Sequence, residues 1–354
     1  MKEEIYSFCD VPEDNAGDNT KVFSSACKDY NGFSVHSNMG IGQEDFFSHR
    51  ENLQEDLEEF LESYVKKYRV PFRRESPRDF ADRLLGIFSL LTLPSVPDSL
   101  LKDATRIKSL YGLWNSVLDD RIDCDHDGKD DLLDTVNVLL RGFSEERVHP
   151  STATGQIMKD FLDGFFKLPL GPNSDVAKEF LLLDLLLTTN AFNYERIALT
   201  NSDFSTLAEY MDFSTSTFDV MCMLDIDLTL MEEVSPLTIG KLREIFRLFG
   251  ATFRLLNDIV TFEREFSSEK SLNSVILRGF DKGVLPRNVL QVSEKEKKKI
   301  YEEEIPVLLE DVKAEIKIHR RLVMSKISEI TDLNLESLNQ NLDELVNRIS
   351  GGGY

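Results

Sequence analysis

The chain has 354 residues, of which 41% are hydrophobic, and its formal net charge is −22. So strong a negative charge excludes nucleic acid and anionic membrane surfaces as partners, because both would be repelled. No apolar run approaches the roughly 18 residues that a membrane span requires. The N-terminal residues have the pattern of neither a signal peptide nor a transit peptide, so we expect a cytoplasmic protein. The four scattered cysteines form no CxxC pair and favour free thiols over disulfides or a zinc site.

The chain is predicted to have two parts of unequal size. Residues 1–45 are expected to form an irregular N-terminal strap, in part disordered, because glycines and short polar residues interrupt any hydrophobic period. From residue 46 to residue 354 the apolar residues recur at helical spacings, and no stretch alternates in the manner of a strand. No long Pro/Gly/Ser linker divides this part. The expected fold class is therefore all-α, a single-domain bundle of about a dozen helices.

The apolar periods and the prolines also give approximate bounds for the predicted helices. The first is amphipathic and begins near residue 51. The others are 79–91, 99–117, 131–143, 152–166, 175–199, 204–222, a short acidic helix ending at 233, a helix introduced by Pro236, 293–329 and 334–349.

An acidic cluster lies at the end of the predicted helix 99–117, where the sequence reads Leu-Asp-Asp-Arg-Ile-Asp. Asp119 and Asp123 are four residues apart and share one helix face, and Asp120 lies beside them. Carboxylates grouped at one helix end can bridge divalent metal ions. The other interpretation is a solvated acidic loop between two helices.

A calcium loop is a second interpretation of the same region. The segment Asp123–Asp134 carries acidic residues at positions 1, 3, 5 and 9 of a 12-residue loop, and Gly128 at position 6. Two features do not fit: Asp130 occupies the position that is usually apolar, and Asp134 replaces the bidentate glutamate. There is also no second such loop, although these loops usually pair.

A second row of oxygen donors lies in the helix after Pro236. Asn257, Thr261 and Glu265 are spaced i, i+4 and i+8, which places them within an arc of about 80° on a helix. An amide oxygen, a hydroxyl and a carboxylate are hard donors of the type that Mg²⁺ prefers. Phe253 and Phe249 lie four and eight residues before Asn257, so they extend the same helix face with apolar side chains. The other interpretation is an ordinary solvated helix face.

Together the two clusters resemble the two metal motifs of class I terpene synthases, DDxxD and (N/D)Dxx(S/T)xxxE. The stretch Lys-Ser-Leu-Asn-Ser-Val-Ile-Leu that ends at Leu277 is similar to the single-domain microbial-type branch, and the resemblance covers about residues 50–354. The second motif reads NDIVT rather than DDxxD, which is typical of cyclases rather than of chain-elongating prenyltransferases.

The resemblance implies a function and a set of site residues. The function is a Mg²⁺-dependent cyclase that uses three ions to ionise a C15 or C20 prenyl diphosphate, farnesyl or geranylgeranyl diphosphate. By this resemblance the metal ligands would be Asp119, Asp123, Asn257, Thr261 and Glu265, supported by Asp120. The diphosphate contacts would be Arg264, Lys270 and Tyr354. Phe192, Phe249 and Phe253 are pocket candidates, although an ordinary core position is the commoner role for any single phenylalanine.

The sequence departs from the family pattern at two cationic positions. Ser214 stands where the family has a diphosphate-sensing arginine, and Gly353 replaces the arginine that precedes a C-terminal tyrosine. Arg196 or Arg254 could compensate. The hydroxyls of Ser214 to Thr217 are also expected to kink their helix, since they compete for backbone hydrogen bonds.

Two other functions stay open at this point. One is a calcium-binding helical protein that uses the Asp123–Asp134 loop, and the other is a non-catalytic helical bundle that binds a partner. The sequence also leaves open whether the chain is a homodimer.

Overall fold

The computed structural model describes residues 50–70, 76–123, 128–144, 146–200, 205–218, 220–269, 271, 273–336, 338–340 and 342. All of them belong to one compact unit, Ser37–Tyr354. The predicted N-terminal strap, residues 1–45, lies outside the described residues, and so do Lys270, Gly353 and Tyr354.

The regular structure of the described residues is entirely helical, which confirms the predicted all-α class. Within the described residues, the α-helices with defined bounds are α1 (Arg50–Tyr68), α2 (Pro77–Leu91), α3 (Asp98–Asp123), α4 (Lys129–Phe143), α5 (Ala153–Phe165), α6 (Ser174–Thr200), α7 (Leu207–Ser214), α8 (Val220–Leu230), α9 (Pro236–Arg264), α10 (Ser274–Asp281), α11 (Glu294–Glu303) and α12 (Ile305–Ile327). Shorter turns of 3₁₀ helix cover Thr215–Phe218 and Val289–Gln291, and a π turn covers Glu265–Glu269. No described helix has a stretch long and apolar enough to cross a bilayer.

Short polar side chains define where many of these helices begin. Each accepts a hydrogen bond from a backbone N–H of the first turn, which otherwise lacks an intrahelical partner. These N-cap residues are Ser76, Thr152, Thr206, Ser235, Asn273 and Ser293. Helices α2 and α9 also place a proline in their first turn, where no N–H is required.

Helix α6 is central to the bundle, since it contacts α3, α4, α7 and α8. Its Phe192 is 1% exposed and lies edge-on to the ring of Trp114, with centroids 6.0 Å apart. Trp114 in turn stacks on Tyr111 of the same helix, α3, at 5.5 Å. This aromatic cluster fixes the helices that carry the acidic residues discussed below.

The predicted helix 204–222 is divided in the structure, and the kink expected at its hydroxyl residues is confirmed. Helix α7 ends at Ser214, the 3₁₀ turn Thr215–Phe218 follows, and α8 begins at Val220. The hydroxyls of Ser214, Thr215 and Thr217 donate to the backbone carbonyls of Tyr210, Met211 and Ser214, at 2.5, 2.6 and 2.8 Å. Side-chain donors of this kind bend helices.

Three other predicted bounds were wrong. The helix predicted to end at Val117 continues to Asp123, so the acidic cluster lies inside α3. The separate acidic helix ending at 233 does not form, because α8 continues to Leu230. The predicted helix 293–329 is interrupted between Glu303 and Ile305, where Pro306 lies in the first turn of α12 and cannot supply a backbone N–H to continue α11. The predicted helix 334–349 lies largely outside the described residues.

Candidate active site

The first acidic cluster occupies the last turn of α3. Asp119, Asp120 and Asp123 are all half-buried there. One turn earlier, Asn115 donates its side-chain amide to the carbonyl of Thr217 at 2.9 Å. This hydrogen bond ties the end of α3 to the 3₁₀ turn between α7 and α8.

The second row lies at the C-terminal end of α9, where the helix passes into the π turn. Asn257 and Thr261 are half-buried, and Glu265 is 7% exposed. The Thr261 hydroxyl donates to the backbone carbonyl of Asn257 at 2.8 Å, which leaves its oxygen able to serve as an acceptor or ligand. The Glu265 carboxylate accepts a hydrogen bond from the Asn273 amide at 3.0 Å. Asn273 is also the N-cap of α10, so the start of α10 orients the last donor of the row.

Asp258, the neighbour of Asn257, is a buried residue that holds several helices together. It is 0% exposed, and its carboxylate accepts from the Tyr210 hydroxyl at 3.0 Å and from the backbone N–H of Ser274 at 2.9 Å. Arg254 donates to the same carboxylate through Nε and Nη2, each at 2.8 Å. Asp258 therefore joins α9 to α7 and α10 directly beside the donor row.

Glu195 of α6 links the two clusters electrostatically, and the sequence analysis did not identify it. Its Oε1 lies 3.4 Å from Arg254 Nη1 and 3.5 Å from the Thr217 hydroxyl. Burial, helped by the charges of Asp119, Asp123 and Asp258 and opposed by that of Arg254, raises the pKa of Glu195 to about 8. The Glu195 carboxyl group is thus close enough to feel the charges of the α3 cluster and of Asp258 on α9. The available signal was that Glu195 is an isolated acidic residue in the second half of α6.

Glu265 is a second buried carboxyl group with a raised pKa. Burial and the charge of Asp258 raise it to about 7, while Arg254, Thr261 and Asn273 lower it. Carboxyl groups whose pKa values are raised near other carboxylates are sites at which a bound cation would be favourable.

These residues fit a hard divalent cation. An amide, a hydroxyl and a carboxyl lie in a row on α9, and Glu195 is within electrostatic range both of Asp258 in that segment and of Asp119 and Asp123 on α3. Among the described residues, no three His, Cys, Asp or Glu side chains converge closely enough to hold a metal by themselves. Ligation would therefore depend on the amide and hydroxyl oxygens of α9 as well.

The other candidates lie in varied surroundings. Arg264 is exposed on the last turn of α9. Phe249 is 2% exposed and its ring meets that of Phe246 at 5.5 Å, so Phe249 and Phe192 both lie in aromatic core packing. Phe253 is half-buried, with its ring 6.4 Å from that of Phe249. Lys270 and Tyr354 are outside the described part of the chain.

The described carboxylates of the calcium-loop hypothesis have protein partners. Asp134 accepts from the backbone N–H groups of Ser151 and Thr152, each at 2.8 Å, and from the Thr152 hydroxyl at 2.9 Å. Asp131 accepts from the Thr154 hydroxyl at 2.6 Å. Both therefore position the start of α5 against α4, which disfavours a calcium loop here. Loop residues 124–127 lie outside the described residues.

Comparison with known proteins agrees with this geometry. Residues 111–284, about half of the chain, match the family described as terpene synthase family 2, C-terminal metal binding. The matched range contains both donor clusters. No curated protein matches the chain by sequence.

Several solved structures share the fold at low sequence identity. 2-Methylisoborneol synthase from Streptomyces coelicolor A3(2), in complex with Mg²⁺ and geranyl-S-thiolodiphosphate, is 10% identical, with a TM-score of 0.57 over 85% of this chain and 89% of that one. Linalool/nerolidol synthase from Streptomyces clavuligerus, in complex with 2-fluorogeranyl diphosphate, is 10% identical, with a TM-score of 0.54 over 86% and 98%. Hedycaryol synthase is 15% identical, with a TM-score of 0.50 over 86% and 91%.

The family match contains both motifs, and the fold brings the end of α3 and the end of α9 into one electrostatic environment. Residues 111–284 of this chain therefore belong to terpene synthase family 2, and the described helices have the fold of solved terpene synthases.

Proposed function

We propose that the chain is a Mg²⁺-dependent terpene cyclase that ionises a linear C15 or C20 prenyl diphosphate, cyclises the carbocation and releases diphosphate. The observation that supports this most is the Asn257, Thr261 and Glu265 row, which shares its electrostatic environment with the α3 carboxylates through Glu195. The 2-methylisoborneol synthase structure, in which Mg²⁺ accompanies a prenyl diphosphate analogue, supports the same assignment.

The proposed metal ligands are Asp119 and Asp123 on α3 with Asn257, Thr261 and Glu265 on α9, and Asp120 supports the first pair. Three Mg²⁺ ions are expected from the family. Bound Mg²⁺ supplies positive charge that stabilises the departing diphosphate. The neighbouring residues position the ligands: Asn273 holds the Glu265 carboxylate, and the contacts of Asp258 fix the α9 segment.

The remaining residues bind and enclose the substrate. Arg264, with Lys270 and Tyr354, is proposed to contact the diphosphate. Phe253 is half-buried and is the pocket candidate nearest the donor row in sequence; its ring is close to that of Phe249, whereas Phe192 lies beside Trp114. Aromatic faces stabilise cationic carbons, and an apolar enclosure keeps water from quenching them.

The test is turnover. Purified protein is incubated with Mg²⁺ and C10, C15, C20 or C25 prenyl diphosphate, and hydrocarbon products are identified by gas chromatography–mass spectrometry. We expect a cyclic product from the C15 or the C20 substrate. Asn257→Ala and Glu265→Ala should each lower turnover at least about 100-fold, as does the loss of a group that stabilises transition-state charge.

The matched control is Glu310→Ala, because the Glu310 side chain is 68% exposed and its ion pair is with Lys313, far from the donor row in sequence. It should retain wild-type turnover. If folded wild-type protein yields no product from any of the four substrates, the cyclase proposal fails and a non-catalytic bundle becomes the better interpretation.

A further inference from the structure

Helix α11 buries a lysine against the π turn that begins with Glu265. Lys297 is the single buried residue of α11 and is 5% exposed, whereas the side chains of its neighbours Lys298 and Lys299 are 75% and 70% exposed. A lysine is rarely buried so fully unless a partner compensates for the lost hydration of its charge. The position of Lys297 therefore requires a partner inside the protein.

That partner is the backbone of the π turn. The Lys297 ammonium group donates to the Phe266 carbonyl at 3.4 Å and lies 5.8 Å from the centroid of the Phe266 ring. Its other contact among the described residues is with Glu294 at 3.5 Å, but that carboxylate is 86% exposed, so the ion pair is hydrated and weak. Carbonyl groups at the end of a helix lack intrahelical partners and carry partial negative charge, which a nearby cation stabilises.

Aromatic packing holds the same turn against α11. Phe266 is 1% exposed, and its ring stacks on that of Phe262 with the centroids 5.3 Å apart. Phe262 also stacks on Tyr301 at 6.2 Å, and Tyr301 lies one turn after Lys297 on α11. One face of α11 therefore fixes the turn through both a ring and an ammonium group.

Glu265 directly precedes Phe266 and is also held by the segment that leads into α10. The Glu265 carbonyl accepts from the Ser271 N–H at 3.2 Å, and its carboxylate accepts from the Asn273 amide at 3.0 Å. Because peptide units are planar, only the backbone torsions of Phe266 separate its carbonyl group from Glu265. A rotation of that carbonyl group therefore changes the direction of the Glu265 side chain.

We propose that Lys297 is a positioning residue for Glu265: its ammonium group holds the Phe266 carbonyl and thereby keeps the Glu265 carboxylate in line with Asn257 and Thr261. The proposal rests on the cyclase function proposed above, in which Glu265 is a ligand of Mg²⁺. Lys297 acts through the backbone and not by contact with the metal or the substrate.

This role gives the loss of the lysine charge a definite sign. Lys297→Met keeps an unbranched apolar side chain but leaves the Phe266 carbonyl without its cation. If the Glu265 carboxylate is thereby redirected, Mg²⁺ binds more weakly. If Lys297 acted only as a distant positive charge, its removal would make Mg²⁺ bind more tightly, because like charges repel.

The test measures binding of inorganic pyrophosphate by calorimetry over a series of Mg²⁺ concentrations, and its readout is the Mg²⁺ concentration that gives half-maximal affinity. Lys297→Met should raise this concentration about threefold to tenfold, less than the roughly 10- to 100-fold typical of a group bonded directly to a metal ligand. Lys297→Arg retains the cation and should stay within about twofold of wild type. The matched control, Lys298→Met, removes an exposed lysine of the same helix that pairs with Glu302 at 3.9 Å, and it should leave the concentration unchanged.

The melting temperature of the metal-free protein separates positioning from stability. If Lys297 only stabilises the packing of α11, Lys297→Met will change the melting temperature and leave the Mg²⁺ dependence as in wild type, and this result overturns the proposal. Tighter Mg²⁺ binding by Lys297→Met overturns it as well. Should Lys297→Met fail to fold, Lys297→Gln decides by the same readout, since its neutral side chain is shorter than that of lysine. Failure of the cyclase function looks different, because wild-type protein would then not bind pyrophosphate at any Mg²⁺ concentration.

Discussion

At the scale of single residues, burial and neighbouring groups change the pKa of Glu195 strongly. An exposed glutamate has a pKa near 4.5, whereas burial and the nearby carboxylates raise that of Glu195 to about 8. The folded state therefore binds this proton more tightly than the unfolded state. The corresponding stability is fully present below about pH 4.5 and is lost as the pH rises towards 8.

This shift predicts how Glu195→Gln changes stability with pH in metal-free protein. The amide cannot ionise, so the variant should avoid the loss that wild type suffers as the pH rises from 6 to 9. Melting temperatures are measured by circular dichroism with chelator present. The melting temperature of the variant, relative to that of wild type, should rise from pH 6 to pH 9. A difference between variant and wild type that stays constant from pH 6 to pH 9 would contradict the assigned pKa.

The donor row illustrates which part of a site a residue pattern predicts. Asn257, Thr261 and Glu265 follow from helical periodicity and donor chemistry, since residues at i, i+4 and i+8 share a face whatever the rest of the fold does. Glu195 and Arg254 do not follow in this way. They are 59 residues apart and meet only because α6 and α9 pack against the same 3₁₀ turn.

At the scale of helices, a buried ion-pair network joins α6, α8 and α9. Arg243 donates to Asp184 at 2.7 Å and to Asp225 at 2.8 Å, and its guanidinium lies 3.9 Å from the centroid of the Phe180 ring. Burial and the charge of Asp184 raise the pKa of Asp225 well above its usual value. One arginine thus serves two buried aspartates, and the pKa of Asp225 is raised despite the opposing charge of Arg243.

The shared arginine of this network predicts unequal costs of substitution. Arg243→Met should lower the free energy of unfolding by about 3–5 kcal/mol, because it removes the one cation that serves two buried carboxyl groups. Asp225→Asn should cost less, since an amide of similar size relieves the crowding that raises the pKa of Asp225 and leaves Arg243 on Asp184. Urea denaturation of both variants at pH 7 measures the two costs. Equal costs would contradict the raised pKa of Asp225.

Helix type was easier to predict than helix ends. The hydroxyl run at Ser214 correctly indicated a kink, because the competition of side-chain and backbone donors is local. The extension of α3 to Asp123 was missed, because burial of Leu118 and Ile122 in the packed bundle outweighs the unfavourable acidic sequence. Packing of this kind is a property of the assembled bundle and is not encoded in a short window of sequence.

At the scale of the whole molecule, ligand binding should stabilise the fold if the two donor clusters share ligands. Mg²⁺ with pyrophosphate should raise the melting temperature more than either component alone, because a ligand bound only to the folded state at 100 times its Kd adds about 2.7 kcal/mol. Scanning calorimetry measures the shift, and removal of the metal with chelator should abolish it.

The same experiment separates the cyclase from the calcium hypothesis. Ca²⁺ without pyrophosphate should produce little stabilisation, since Asp131 and Asp134 already accept hydrogen bonds from the segment before α5 and the start of α5. A large shift with Ca²⁺ alone would contradict this assignment. Asn257→Ala serves as the control, because it should reduce the Mg²⁺-pyrophosphate response while leaving any Ca²⁺ response intact.

The sequence by itself determined the all-α class, the two donor clusters and the family they resemble, because helical periodicity and ligand chemistry depend on residues close together in the chain. Only the tertiary structure decided that Arg254 lies between Asp258 and Glu195, that Glu195 has an elevated pKa, and that Asp131 and Asp134 of α4 accept hydrogen bonds from residues at the start of α5. These features depend on distances between groups far apart in sequence and on their burial, which exist only after the helices have packed.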